Sequence, residues 1–197
     1  MTKNQPNLVR LLPFVLFIFS LLVAPRSKAA PLCDVSSLPQ NIQAKLATDY
    51  PDWQPETLER LWRRDRVGWL KEHPNSCPGI VIGHFESNAY LSYAFFLVSK
   101  PEKKRAGFHV VVLSRTEDSA QISSHVVFES EEREFISRTG LAIAKARPGQ
   151  YTELDEDSDK PRQITMHLDG VFYEAIGVAS TLYYWDHGHY AALPLSD

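Results

Sequence analysis

The chain has 197 residues, 21 Lys plus Arg against 24 Asp plus Glu, two cysteines and a formal charge of −3. That length suits one domain with a single adequate core. The acid excess argues against a nucleic-acid binder, whose non-specific affinity comes from attracting phosphates.

Residues 1–29 read as a secretory signal peptide. Lys3 and Arg10 give a short basic start, and Leu11 to Ala24 form one apolar run. A membrane span needs about 20 such residues, so the run fits an export signal better than an anchor. Ser27-Lys28-Ala29 puts small residues where a signal peptidase reads, and cleavage is expected after Ala29. Cleavage would remove Lys3, Arg10, Arg26 and Lys28 and no acids, leaving 17 bases against 24 acids and a charge of −7. The remaining 30–197 is expected to be a single exported domain, periplasmic or secreted, with no stable membrane anchor. Cys33 and Cys77 both survive cleavage. An even pair in an oxidising compartment predicts one disulfide.

Residues 35–74 carry helical signals. Ser36 or Ser37 can cap a helix that begins at Pro39, and Ile42, Leu46 and Tyr50 then fall on one stripe before Pro51. A second helix is expected with Pro55, Glu56 and Thr57 in its first turn. Leu58, Leu61, Trp62 and Trp69 would lie on one face, and Pro74-Asn75-Ser76 would stop it. From Ile80 the pattern changes. Ile80–Phe85, Tyr90–Val98, Phe108–Leu113 and Ile122–Phe128 are short runs rich in β-branched and aromatic residues. Lys103-Lys104-Arg105 reads as a charged hairpin loop shielding a sheet edge. Residues 130–162 are the least regular, with Glu131, Glu132 and Glu134, a short strand near Leu141–Ala144 and a Pro148-Gly149 turn. Asp169-Gly170 then sits between Ile164–Leu168 and Val171–Ile176, and His187-Gly188 between Leu182–Asp186 and His189–Leu193; both read as two-residue hairpins. The predicted fold class is α+β: an N-terminal helical layer, then a mainly antiparallel sheet of about seven to nine strands, with one disulfide.

Gly79 to Val98 reads G-I-V-I-G-H-F-E-S-N-A-Y-L-S-Y-A-F-F-L-V. This resembles the strand–loop–strand of FG-GAP or VCBS-type units, whose acidic loop binds calcium. The chain is also similar to exported bacterial proteins of uncharacterised function that carry one such unit with an upstream C-P-G and a C-terminal W-D-x-G-x-Y and S-D. Here these are Cys77-Pro78-Gly79, Trp185-Asp186-His187-Gly188-His189-Tyr190 and Ser196-Asp197. The loop departs from the family where ligands belong. His84 replaces an Asp, Ala89 a Gly and Ser92 the last acid, leaving Glu86 and Asn88 as oxygen donors.

Four groups of residues could carry chemistry. Asp155, Asp157 and Asp159 form D-x-D-x-D, a spacing that can converge on calcium. Lys160 and Met166 stand where an EF-hand needs Gly and Glu, so a solvated acidic loop is the expectation. In the expected Asp169-Gly170 hairpin, Leu168 pairs with Val171, His167 with Phe172 and Thr165 with Glu174. His167 and Glu174 then share a face as diagonal neighbours able to do acid–base work. Asp186 and His189 would close the last turn. Arg60, Arg63, Arg64 and Arg66 lie near Trp62 and Trp69, a composition that can hold envelope anions or an acidic protein surface. No G-x-S-x-G, H-E-x-x-H, P-loop or G-x-G-x-x-G motif is present.

The expectation is therefore an exported binding protein without catalysis and without a cofactor, calcium being the one candidate. Its partner is expected to be an envelope or extracellular protein or a small ligand, as for inhibitor- or immunity-type proteins, and not nucleic acid. The alternatives are an exported hydrolase using His167 and Glu174, and a calcium-stabilised structural module.

Overall fold

The computed structural model describes residues 33–101, 107–115, 121–130, 140–153 and 162–195. The predicted signal peptide, the Lys103–Arg105 loop, the Glu131–Glu134 cluster and Asp155, Asp157 and Asp159 lie outside them.

The described residues open with a 3₁₀ turn, Val35–Ser37, followed by helix α1, Gln40–Asp49. Asp34 caps the turn by accepting from the Ser36 backbone N–H and hydroxyl. Ser36 and Ser37 therefore sit inside the turn instead of capping α1, whose first turn follows Pro39 with no side-chain cap. Ile42 and Leu46 are buried on the predicted stripe. Three residues, Trp53–Pro55, form strand β1, and helix α2 spans Arg63–Glu72. The expected helix start at 55–57 is not formed, because the Glu56 N–H is bonded to Phe96 of the sheet.

Ten further strands follow: β2 Ile80–Gly83, β3 Ser92–Ser99, β4 Phe108–Arg115, β5 Ile122–Ser130, β6 Leu141–Ala146, β7 Gly149–Thr152, β8 Gln163–Met166, β9 Gly170–Ala175, β10 Ala179–Asp186 and β11 His189–Leu195. All the pairings are antiparallel. One sheet runs β1-β3-β4-β5, with β2 also on β3, and a second runs β11-β10-β9-β6. β7 and β8 make a separate ribbon, so the strands among the described residues outnumber the seven to nine expected.

The two sheets pack face to face. Ala94, Phe96, Val98, Phe108, Val110 and Val112 of the first meet Leu141, Ile143, Val171, Ala175 and Tyr183 of the second. Alternation along each strand sends the other row outward. On the first sheet that row is Phe95, Leu97, Val111 and Leu113, covered by Leu38, Ile42 and Leu46. On the second sheet, Leu61 just before α2 and Trp69 within it cover Ala142 and Ala144, while Met166, Tyr151 and Ile164 of the β7–β8 ribbon cover Ala146, Leu182 and Leu193. The helices thus cap opposite outer faces of a sandwich, and the single helical layer expected from the sequence is split in two.

β1 and β2 share one edge of β3 in continuous register. Pro55 stands opposite Leu97 and Ile80 opposite Phe95. Between them, Phe96 gives its C=O to the Glu56 N–H and its N–H to the Gly79 C=O. Gly79 is required there: a Cβ on it would lie 2.2 Å from the Glu56 carbonyl oxygen. The Cys33–Cys77 disulfide, with Cα atoms 5.2 Å apart, fastens the N-terminal turn beside this crossing.

The two predicted hairpins part company. His187 and Gly188 both have positive φ, 46° and 91°, and close β10–β11 with Asp186 opposite His189. This is the backbone a two-residue hairpin turn demands. Asp169-Gly170 forms no hairpin. β8 pairs with β7, and β9 lies between β6 and β10. Asp169 is bonded instead to the β2–β3 loop, its carboxylate accepting from the His84 N–H and its own N–H donating to the His84 C=O. Gly170 serves close packing, since a Cβ there would meet Leu182 Cδ1 at 2.8 Å.

Candidate functional site

The cleft that stands out lies where the edges of the two sheets diverge. The β2 edge and the β6 edge meet at one bond, the Ile143 N–H to the Pro78 C=O at 2.8 Å. Beyond it they separate around a cavity of about 390 Å³ lined by Ile80, Val81 and Ile82 on one side and Ile143 to Lys145 with Arg147 on the other. The N-terminal turn (Asp34, Ser37, Leu38) and the residues after α2 (His73, Asn75, Ser76) close its ends.

Register fixes where the backbone groups in this cleft point. Gly79 is bonded to Phe96 of β3, so the antiparallel alternation turns Val81 and Gly83 toward β3 and Ile82 away from it. On β6, Gly140 accepts from Ile176, so Ala142, Ala144 and Ala146 face β9 while Lys145 faces outward. The N–H and C=O of Ile82 and Lys145 are therefore aimed across the gap. A buried, unpaired amide is costly, and such edge groups are satisfied by water or by an added strand.

His73 stands at one end of the cleft. Its Nε2 is 3.3 Å from Glu174 Oε2, and its ring lies 4.2 Å from the Trp69 ring. The bond to Glu174 raises the imidazole above its ordinary pKa, against the opposing effect of partial burial. Glu174 is thus a member of a His–carboxylate pair, but with a different histidine. The expected partner, His167, sits exposed in the bend after β8, a strand that does not pair with β9. The β8–β9 pairing that was to set His167 beside Glu174 is not formed, because the Asp169-Gly170 hairpin on which it depended is absent.

The Arg–Trp cluster is also divided. Trp69 is 1% exposed in the core and gives its indole N–H to the Ser76 C=O, whereas Trp62 is 64% exposed. Arg63 and Arg64 are exposed, and Arg60 is paired with Glu56 at 3.3 Å. Burial pushes the Glu56 carboxyl up, with the Thr57 N–H and Arg60 acting in the opposite direction. Trp69 is therefore withdrawn from the group, while Arg60 and Trp62 line a small cleft together with Glu56.

In the loop resembling a calcium-binding unit, His84 and the oxygen donor Glu86 are engaged within the protein. His84 Nδ1 lies 3.1 Å from the Tyr90 C=O and 3.3 Å from the Ser87 C=O. Both neighbours accept, so this nitrogen must carry the proton and donate to them. Asn88 is exposed, and Glu86 accepts from the Tyr190 hydroxyl at 3.0 Å. The donors do not fit a calcium cage, which needs oxygens converging from several sides. Among the described residues, no three His, Cys, Asp or Glu side chains are grouped as metal ligands.

A second polar cluster went unseen in the sequence. Glu86, Tyr190, His125 and Trp185 meet where the β2–β3 loop, β5 and the β10–β11 hairpin converge. His125 Nε2 is 3.9 Å from Glu86 Oε1, and Trp185 packs edge-on against both rings. Burial first, then the Glu86 charge, pushes the Tyr190 phenol far above its ordinary range. The cluster joins the two sheets at their end. Its only sequence trace is the W-D-x-G-x-Y run, which pairs Trp185 with Tyr190 across the turn.

No protein-family model, no curated protein and no solved structure matches this chain. Among the described residues, no helix is long and apolar enough to cross a membrane.

Proposed function

We propose that this protein is an exported, non-enzymatic binding protein of the inhibitor or immunity type, and that it takes an extended segment of a partner protein into the cleft between β2 and β6. One observation carries the reading. Two sheet edges diverge from a shared bond and aim the backbone groups of Ile82 and Lys145 across the same cavity. A strand laid there would find donors and acceptors on both sides, where an ordinary edge offers one. The disulfide, which holds the N-terminal wall in place, accords with an oxidising compartment.

The test is a panel of extended octapeptides with amide exchange as the readout. Binding should protect the Ile82 and Lys145 amides. A peptide N-methylated at alternate residues should lose affinity when the methyls face β2 or β6. Ile82→Pro removes a donor from the cleft without removing a bond to β3, and should weaken every peptide. Protection confined to another surface would overturn the reading.

A further inference from the structure

Resting on the strand-addition reading, we infer that the segment this cleft takes is acidic, with carboxylates at alternate positions. The inward row of β6 changes character along its length. Ile143 is buried between the sheets, but Lys145 and Arg147, next in the same period-two row, extend beyond the sandwich and line the cleft. The facing strand contributes only Ile80, Val81 and Ile82.

The charges around the cleft leave this cationic row short of partners. The one carboxylate in the lining, Asp34, is turned to the Ser36 N–H and hydroxyl at 2.9 and 2.7 Å. His73 is paired with Glu174. Lys145 Nζ lies 3.9 Å from Asp169 with its side chain 45% exposed, a loose contact that solvent screens. Arg147 has no anionic partner among the described residues. The chain as a whole carries a charge of −3, so an approaching acidic segment is repelled elsewhere and drawn to this row. In an added strand, side chains two apart share a face, which matches the spacing of Lys145 and Arg147.

The experiment compares two labelled octapeptides, one alternating glutamate with valine and one alternating glutamine with valine, against the oxidised protein and the Lys145→Gln/Arg147→Gln variant. The acidic peptide should bind about ten-fold tighter, the scale of two partly exposed ion pairs. That advantage should vanish in the double variant, and a thermal melt confirms that the variant is folded. If both peptides bind the wild type equally, the acidic assignment falls and strand addition stands. If neither binds, strand addition itself falls. If the acidic peptide binds equally well after alternate N-methylation, the site recognises charge alone and the inference is overturned.

Discussion

Breaking the Cys33–Cys77 bond should cost this fold about 4 kcal/mol. The bond closes a loop with a sequence separation of 44. In the chain-entropy model, a loop of that length restricts the unfolded ensemble by about 4 kcal/mol at 25 °C. For a domain of this size each kcal/mol is worth about 2–4 °C, so the melting midpoint should fall by about 8–16 °C. The comparison is between the oxidised protein and Cys33→Ala/Cys77→Ala, melted thermally and in urea with circular dichroism as readout. The urea m-value should rise, because the uncrosslinked chain exposes more surface when unfolded. Amide protection should fall most at 33–38, since Leu38 is the main core contact of that segment. A drop below about 3 °C with an unchanged m-value would refute the loop-closure argument. It would mean that α1 anchors the N-terminal turn without help.

Three other outcomes follow from packing and charge. Gly79→Ala drives a Cβ into the Glu56 backbone and should cost about 3 kcal/mol in urea unfolding, because backbone cannot step aside. Trp69→Ala should cost about 3–5 kcal/mol, while Trp62→Ala should stay within about 0.5 kcal/mol; equal effects would contradict their burial. His73 has a folded pKa raised above 6.5 by Glu174, so its contribution to stability is complete below the unfolded value and is lost as pH rises through the folded one. Glu174→Gln should flatten that fall in a stability series from about pH 6 to 9, below the range of tyrosine ionisation.

What the sequence reveals and conceals is clearest in its two turn signals. His187-Gly188 and Asp169-Gly170 look alike locally, and only the first makes a hairpin. A turn motif says where the chain can reverse. It does not say whether a distant partner has a better use for the same residues, as the His84 loop has for Asp169. The stripe of Ile42 and Leu46 was legible because it repeats along one helix. β1 was not, because three residues have no period and owe their strand form to pairing with β3. Glu174 was legible as a candidate, but its partner His73 lies across the fold. The cleft could not be read at all. Its walls come from segments as far apart as Asp34 and Arg147, and it exists only where two sheets diverge.

The shared register at Phe96 gives the segment between Glu56 and Gly79 an unusual standing. The chain leaves a strand at one position, builds α2, and returns to that same strand one step further on. The segment is in effect an insert whose two ends touch. Changing its length would cost only slowly growing loop-closure entropy, because no new distance has to be spanned. The penalty for replacing it would fall on the outer face of the other sheet, where Ala142 and Ala144 would lose the cover of Trp69, and on the disulfide, whose Cys77 the replacement would have to keep. A foreign module joined at these two residues would leave the β3 edge intact. This makes the crossing at Gly79 a natural port for grafting, and a place where related chains could diverge in size while keeping one sandwich.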